Sequence, residues 1–383
     1  MNYNNLQNIQ NALNLGVKNK KIVGASCLVF HDGKERGFWH SGFADVENKK
    51  EFSRDTIIRL YSMSKPVTSV AAMILIERGI LDFTDEVSQY IPEFADLTVC
   101  KDGKIQKSSR PLLIQDLLNM TSGYTYGGNE DEGQKQTSAL LSELNQSVLE
   151  KNDISTLEVA KRLAKIPVSF EPGTDYQYGL SADIMGAVIE VASGMKYSEF
   201  LKKEIFDPCG MTDTTFTPTA EQEKRMVAMH NRVDGKNVVA PIPVGCIFED
   251  YPATRYLGGA GLVSSLSDYA KFAKMLLNKG KTENGTVILK EKTFNQLCTP
   301  QVSKEVMPGE ERWGLGVRVI TEESYPTLAV GSFGWSGAYG SHFWVDPENK
   351  IFAVYMKNSK IDGGSANESA VKFEQAVYSS FTE

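Results

Sequence analysis

The chain has 383 residues, 41% of them hydrophobic and 23% charged, the make-up of a globular protein with a real core and room for one large domain or two intertwined ones. A formal net charge of −7, with no basic block, argues against nucleic acid as a partner. The five cysteines, Cys27, Cys100, Cys209, Cys246 and Cys298, form no C-x-x-C pair, which fits reduced thiols in a cytoplasmic protein better than a disulfide frame.

Leu6, Ile9, Leu13 and Val17 recur at helical spacing, so an amphipathic helix is expected first. That stretch has no apolar block of the secretory type, which again points to the cytoplasm. Strands are predicted over 23–30 and 37–42, joined by a hairpin at His31-Asp32-Gly33-Lys34. A polar connection over 43–55 leads to Leu60-Tyr61-Ser62-Met63-Ser64-Lys65-Pro66. The apolar run 67–76 follows, a buried helix too short to span a bilayer. A turn and a short helix are expected over 79–92, then a helix over 112–120 stopped near Gly123. Residues 127–136 are rich in Gly and Glu and read as an exposed loop. Helical patterns return at 138–149, 155–165, 181–192 and 200–211. Turn-rich, strand-like sequence takes over from Met226. Residues 258–265 read as a tight turn before a helix at 267–278, without the register of a dinucleotide loop. Strands are predicted at 314–320, 341–345 and 351–356. A final helix over 366–381 carries the stripe Phe373, Val377, Phe381.

Strands thus stand at both ends of the chain and helices in the middle. The simplest closure is an α+β fold in which the end segments share one antiparallel sheet flanked by the terminal helices. Residues 1–80 and 255–383 would form this sheet lobe, and 81–254 a mostly helical lobe. The cleft between them is the expected place for chemistry.

Ser62 is where chemistry is expected. Ser62 and Lys65 are three residues apart, so on a helix they share one face, while Ser64 points elsewhere. An amine beside a hydroxyl takes its proton when the amine is neutral part of the time, and burial behind the apolar run is expected to lower the Lys65 pKa. Free N–H groups at a helix start can hold an oxyanion. Ser-x-x-Lys also occurs at Ser193/Lys196, beside a helix-ending Gly194, and at Ser369/Lys372, on a polar-faced helix. Only Ser62 starts an apolar helix. Spacing and context alone leave it either a nucleophile or a helix cap.

Several stretches in order resemble the serine β-lactamases and penicillin-binding proteins, most of all class C β-lactamases and family VIII carboxylesterases. They are Ile58-Arg-Leu-Tyr-Ser62-Met-Ser-Lys65-Pro, Leu81-Asp-Phe-Thr-Asp-Glu-Val-Ser-Gln-Tyr-Ile-Pro, Asp116-Leu-Leu-Asn-Met-Thr-Ser-Gly123, Pro172-Gly-Thr and Gly258-Gly-Ala-Gly-Leu-Val-Ser-Ser. The resemblance implies Ser62 as nucleophile, Lys65 as its base, and Tyr178 in the place of the lactamase Tyr-x-Asn tyrosine. Tyr176 is the alternative to test. Packing between lobes is the plainer role for Tyr178. Leu180 stands where lactamases carry the Asn. Trp335-Ser336-Gly337 stands where they carry Lys-Thr-Gly, and the resemblance makes the N–H groups of Ser62 and Ala338 the oxyanion hole. Trp335 then favours an apolar or aromatic acyl group, unless it is simply core, and Ser336 is the hydroxyl donor left for a carboxylate.

Rival chemistries lack their signatures. There is no G-x-S-x-G, no P-loop, and no metal-ligand spacing among His31, His40, His230 and His342. The expected protein is a serine carboxylesterase of small esters that works through an acyl-enzyme, with no cofactor or metal, no membrane span and no obligate protein partner. A β-lactamase or D-amino-acid peptidase, an acyltransferase to an alcohol, and a non-catalytic peptide- or cell-wall-binding module on the same scaffold are the alternatives.

Overall fold

The protein is described as a computed structural model, in which residues 5–152, 154–240, 254–364 and 367–381 are placed; Cys246 lies outside them. Helix α1 (Gln7–Lys18) leads into the hairpin β1 (Gly24–His31) and β2 (Lys34–Asp45), with β3 (Lys50–Glu51) beside it. The short strand β4 (Ile57–Arg59) precedes a single 3-10 turn, Tyr61–Met63, and helix α2 (Ser64–Glu77). A small hairpin, β5 (Thr98–Lys101) and β6 (Lys104–Lys107), opens the middle of the chain. Helices α3 (Ile114–Leu118), α4 (Glu132–Leu149), α5 (Thr156–Leu163), α6 (Ser181–Ser193), α7 (Tyr197–Leu201), α8 (Asp207–Cys209) and α9 (Ala220–Glu223) follow. The hairpin β7 (His230–Val233) and β8 (Lys236–Val239), strand β9 (Val263–Ser265), and helices α10 (Leu266–Leu277) and α11 (Glu291–Leu297) lead back to strands. These are β10 (Glu311–Trp313), β11 (Arg318–Ile320), β12 (Phe333–Ser336), β13 (His342–Asp346) and β14 (Ile351–Lys357), closed by α12 (Glu368–Ser379).

Both chain ends build one antiparallel sheet, in the order β10-β11-β12-β13-β14-β1-β2-β3. Its central strands are covered on both faces, so β14 is buried along its whole length and is apolar up to its last residue, Lys357. Alternation sorts the side chains. Cys27, Val29, Ala353, Tyr355 and Trp344 meet Ile9 and Leu13 of α1 and Phe373 and Val377 of α12. Leu28, Val354, Phe343 and Val345 face the larger core, which holds α2, α6 and α10. The predicted α+β fold, with one large antiparallel sheet and the terminal helices on it, is the fold observed.

Local readings differ at several places, among them the unexpected hairpin β5–β6 and strand β12. The expected strand over 314–320 is a hairpin: Gly314 N–H donates to Val317 O and Gly316 takes φ +76°, so β10 and β11 are separate strands. The polar connection after residue 43 is partly strand, because β2 runs on to Asp45 and pairs with β3. The exposed loop over 127–136 gives way to α4 at Glu132, where the Asp131 carboxylate caps Gln134 N–H. The turn at 258–265 ends in strand β9, which pairs with β4.

Candidate active site

Ser62 sits in the 3-10 turn two residues ahead of α2, half-buried. Tyr61 before it holds φ +48°, a conformation that costs a non-glycine residue energy and is kept only where the surroundings enforce it. Here the Tyr61 ring stacks on Tyr339 at 4.9 Å, and Tyr269 OH donates to Met63 O at 2.8 Å. Ser64 turns inward, where its Oγ accepts the Leu262 N–H at 3.2 Å.

Lys65 is wholly buried. Its Nζ donates to Ser62 Oγ at 3.2 Å, to Tyr126 OH at 2.8 Å and to Gly259 O at 2.8 Å, which uses all three protons of an ammonium. Gly259 also donates its N–H to Asp183 Oδ1 at 3.1 Å, and a Cβ there would meet the same carboxylate at 2.6 Å. The glycine is therefore required for this backbone to pass between Lys65 and Asp183. Burial pushes the Lys65 ammonium down. The Tyr126 and Tyr178 phenols and the Asp183 carboxylate push it up and prevail, so its pKa is held above the ordinary lysine range. This corrects the expectation that burial leaves Lys65 partly neutral. Burial raises Asp183 against the pull of Lys65, while Tyr126 is 41% exposed and only its OH end is turned in to Lys65.

Two phenols flank the amine. Tyr178 places its ring centroid 4.6 Å from Lys65 Nζ and its OH accepts Trp335 Nε1–H at 2.9 Å. Tyr126 takes the direct hydrogen bond from Lys65, and the two rings are 5.8 Å apart. Tyr176 instead packs on Trp313 at 6.0 Å. Tyr126 and Asp183 were missed in the sequence. Tyr126 lies 61 residues from Lys65 in a Gly-rich stretch with no periodic signal, and only the fold joins them. Leu180 donates its N–H to Tyr124 O, but its side chain is packed in the larger core, 6% exposed. Leu180 is thus a core residue at the start of α6.

Strand β12 delivers the other side. Trp335 faces Tyr178, and its ring meets Trp313 edge-on at 4.6 Å. Gly337 ends the strand against Leu60; a Cβ there would stand 2.4 Å from Leu60 O, so no larger residue fits. Ser341 Oγ donates to the same carbonyl at 3.3 Å. These contacts dock the turn that carries Ala338 on the chain just before Ser62. Ser336, expected as a donor in the cleft, is on the opposite face because side chains alternate along a strand. Its Oγ is 2.7 Å from His342 Nδ1. Among the described residues no cluster of His, Cys, Asp and Glu is arranged to hold a metal.

The other two Ser-x-x-Lys matches have different surroundings. Ser193 ends α6 beside Gly194 in the left-handed conformation, and its Oγ accepts Met195 N–H. Ser369 donates to Asn367 Oδ1 and accepts from Tyr355 OH at the start of α12, so it is tied into the helix start, while Lys372 pairs with Glu368.

The Beta-lactamase family model matches residues 9–375. Esterase EstB of Burkholderia gladioli is 27% identical over 94% of this chain and 92% of its own length. ML-236A carboxylate methylbutanoyltransferase mlcH of Penicillium citrinum is 25% identical over 79% of this chain and 71% of its own. The solved structure of EstCE1, described as a hydrolase with promiscuous acyltransferase activity, superposes with a TM-score of 0.81 at 24% identity, covering 98% of this chain and 99% of that one.

Proposed function

From the premise that the chain belongs to the beta-lactamase family, we propose that it is a serine carboxylesterase of small esters. The observation that carries the reading is Lys65, wholly buried and directed at Ser62 Oγ. In this proposal Ser62 Oγ attacks the ester carbonyl carbon. Its proton passes to the Lys65–Tyr178 pair once that pair has lost one. The oxyanion rests on the N–H groups of Ser62 and Ala338. When the C–O bond breaks, Tyr178 protonates the leaving alkoxide. Water then attacks the acyl-enzyme, gives its proton to the same pair, and Ser62 is regenerated. Lys65, held as an ammonium, fixes the phenols and the hydroxyl in one cluster. On the proposed division into a sheet lobe, 1–80 and 255–383, and a helical lobe, 81–254, the site draws Ser62, Lys65 and Trp335 from the first and Tyr126 and Tyr178 from the second. Trp335 and Tyr178 form an aromatic wall, backed by the wholly buried Trp313, suited to an apolar acyl or aryl group. Four described cysteines are free, which supports a reducing compartment such as the cytoplasm. No described helix is long and apolar enough to cross a membrane.

Transfer of the acyl group to an alcohol is the second reading, favoured by the transferase activity in the names of mlcH and EstCE1. Both readings share the acyl-enzyme and differ in its acceptor. A β-lactam also needs a partner for its carboxylate and its acylamino group. Trp335 and Leu180 supply neither, and the Ser336 hydroxyl is bonded to His342 behind the sheet. Each such loss costs about 1.5–3 kcal/mol, so two lower efficiency by roughly 10² to 10⁴-fold. The test compares kcat/KM for p-nitrophenyl butyrate, nitrocefin and a D-alanyl peptide, with and without added alcohol. The ester is expected to lead; a leading cephalosporin would replace the esterase reading with a lactamase one.

A further inference from the structure

The face of β12 and β13 away from Trp335 carries a buried polar chain. Ser336 Oγ lies 2.7 Å from His342 Nδ1, and His342 Nε2 lies 2.8 Å from Glu374 Oε1 on α12. Thr327 Oγ1 also donates to Glu374, and Arg318 Nη2 stands 3.8 Å from it. Burial raises the Glu374 carboxyl, but His342, Thr327 and Arg318 outweigh it and hold it below its usual range, so the group is a carboxylate. A carboxylate on Nε2 places a proton there, and in the neutral ring Nδ1 is then the acceptor for the Ser336 hydroxyl.

The order Ser, His, Glu is that of a hydrolytic triad, but Ser336, His342 and Glu374 are only 4%, 1% and 2% exposed, and no ester reaches a hydroxyl so enclosed. Position gives the chain a different task. Ser336 and His342 are directly paired across the strands and bracket the turn 337–341. That turn carries Ala338, and Gly337 and Ser341 within it touch Leu60. A polar chain set in an apolar layer is costly to bury and gains less stability than hydrocarbon packing would, but it fixes geometry more narrowly.

We propose that Ser336, His342 and Glu374 form a positioning relay that anchors the turn 337–341 to helix α12 and so sets the Ala338 N–H on the oxyanion formed at Ser62. The inference rests on the esterase reading above. None of the three residues touches substrate, and they act on the reaction only through the turn.

The experiment measures the burst of p-nitrophenol from p-nitrophenyl butyrate, steady-state kcat and KM, and inhibition by a reversible phosphonate analogue of the tetrahedral intermediate. It uses wild type, Ser336→Ala, Ser336→Thr and Glu374→Gln. Removing an oxyanion donor outright lowers kcat by about 10²–10³-fold; loosening one is expected to lower the acylation rate about tenfold or more, with KM within about twofold. The analogue should weaken in step with kcat/KM. Ser336→Thr, which keeps the hydroxyl, should restore the rate. A folded Ser336→Ala enzyme with wild-type burst rate and analogue affinity would overturn the relay, even if its Tm fell, because the chain would then be packing alone. Reaction of wild type with a fluorophosphonate at Ser62 is checked first. Its absence would overturn the esterase reading and the relay with it, whereas a reactive wild type beside unaffected variants would overturn the relay alone.

Discussion

Three side chains meet one buried nitrogen, and each makes a different prediction. Ser62→Ala is expected to abolish ester turnover in a soluble, folded protein, since loss of a hydroxyl at a helix start costs only about 1 kcal/mol. Ser64→Ala should keep the chemistry but lower Tm, because it leaves the buried Leu262 N–H unpaired at a cost of about 1–3 kcal/mol. The comparison is read from kcat and a melting curve on the same preparations. Tyr178→Phe removes the acceptor of the Trp335 N–H and the proposed proton carrier, and should lower kcat by about 10²–10⁴-fold. Tyr126→Phe removes one hydrogen bond from Lys65 and should cost less, while Tyr176→Phe should leave kcat nearly unchanged. A larger loss at Tyr176 than at Tyr178 would move the proton carrier by two residues. The pH profile follows from Lys65. Its pKa is held up, so Lys65 stays protonated in neutral solution and can act as a base only as pH rises. The kcat is therefore expected to climb through about pH 7 to 9 without a plateau; a plateau reached at neutral pH would mean that Lys65 is already neutral there.

At the scale of elements, the site depends on close backbone approaches. Gly337→Ala would place a methyl against Leu60 O, so β12 and the chain before Ser62 must separate. A fall in kcat without a matching change in KM is expected, read by the same ester assay. Much of this scale was legible from the chain. The hairpin at Asp32-Gly33, helix α2, the stop at Gly194 and the paired strands β13 and β14 each follow from periodicity or turn chemistry. Short elements were not. Strand β12 has four residues between glycine-rich segments, and nothing local marks it; only pairing with β11 and β13 makes it a strand. The face of Ser336 follows from that same register, so the error about its hydroxyl and the missed strand have one cause. Tyr126 and Asp183 show the same limit at the site, since their contacts with the Lys65 cluster are made by backbone passes between distant segments.

At the scale of the whole molecule, the proposed reaction lies between a sheet built from both chain ends and the helices inserted between them. A trapped phosphonate should therefore slow backbone hydrogen exchange in segments of both, around 60–66, 124–128 and 333–341, whereas protection confined to one of them would place the cleft elsewhere. The central claim is narrower: Ser62 is made nucleophilic by a buried Lys65 and its two phenols. Labelling with a fluorophosphonate, followed by peptide mapping by mass spectrometry, tests it most directly. One phosphonyl group per chain is expected, on Ser62, with labelling that quickens as pH rises and is lost in Ser62→Ala. A label on Ser64 or any other serine, or a folded Ser62→Ala protein that still reacts and still turns over p-nitrophenyl butyrate, would contradict it.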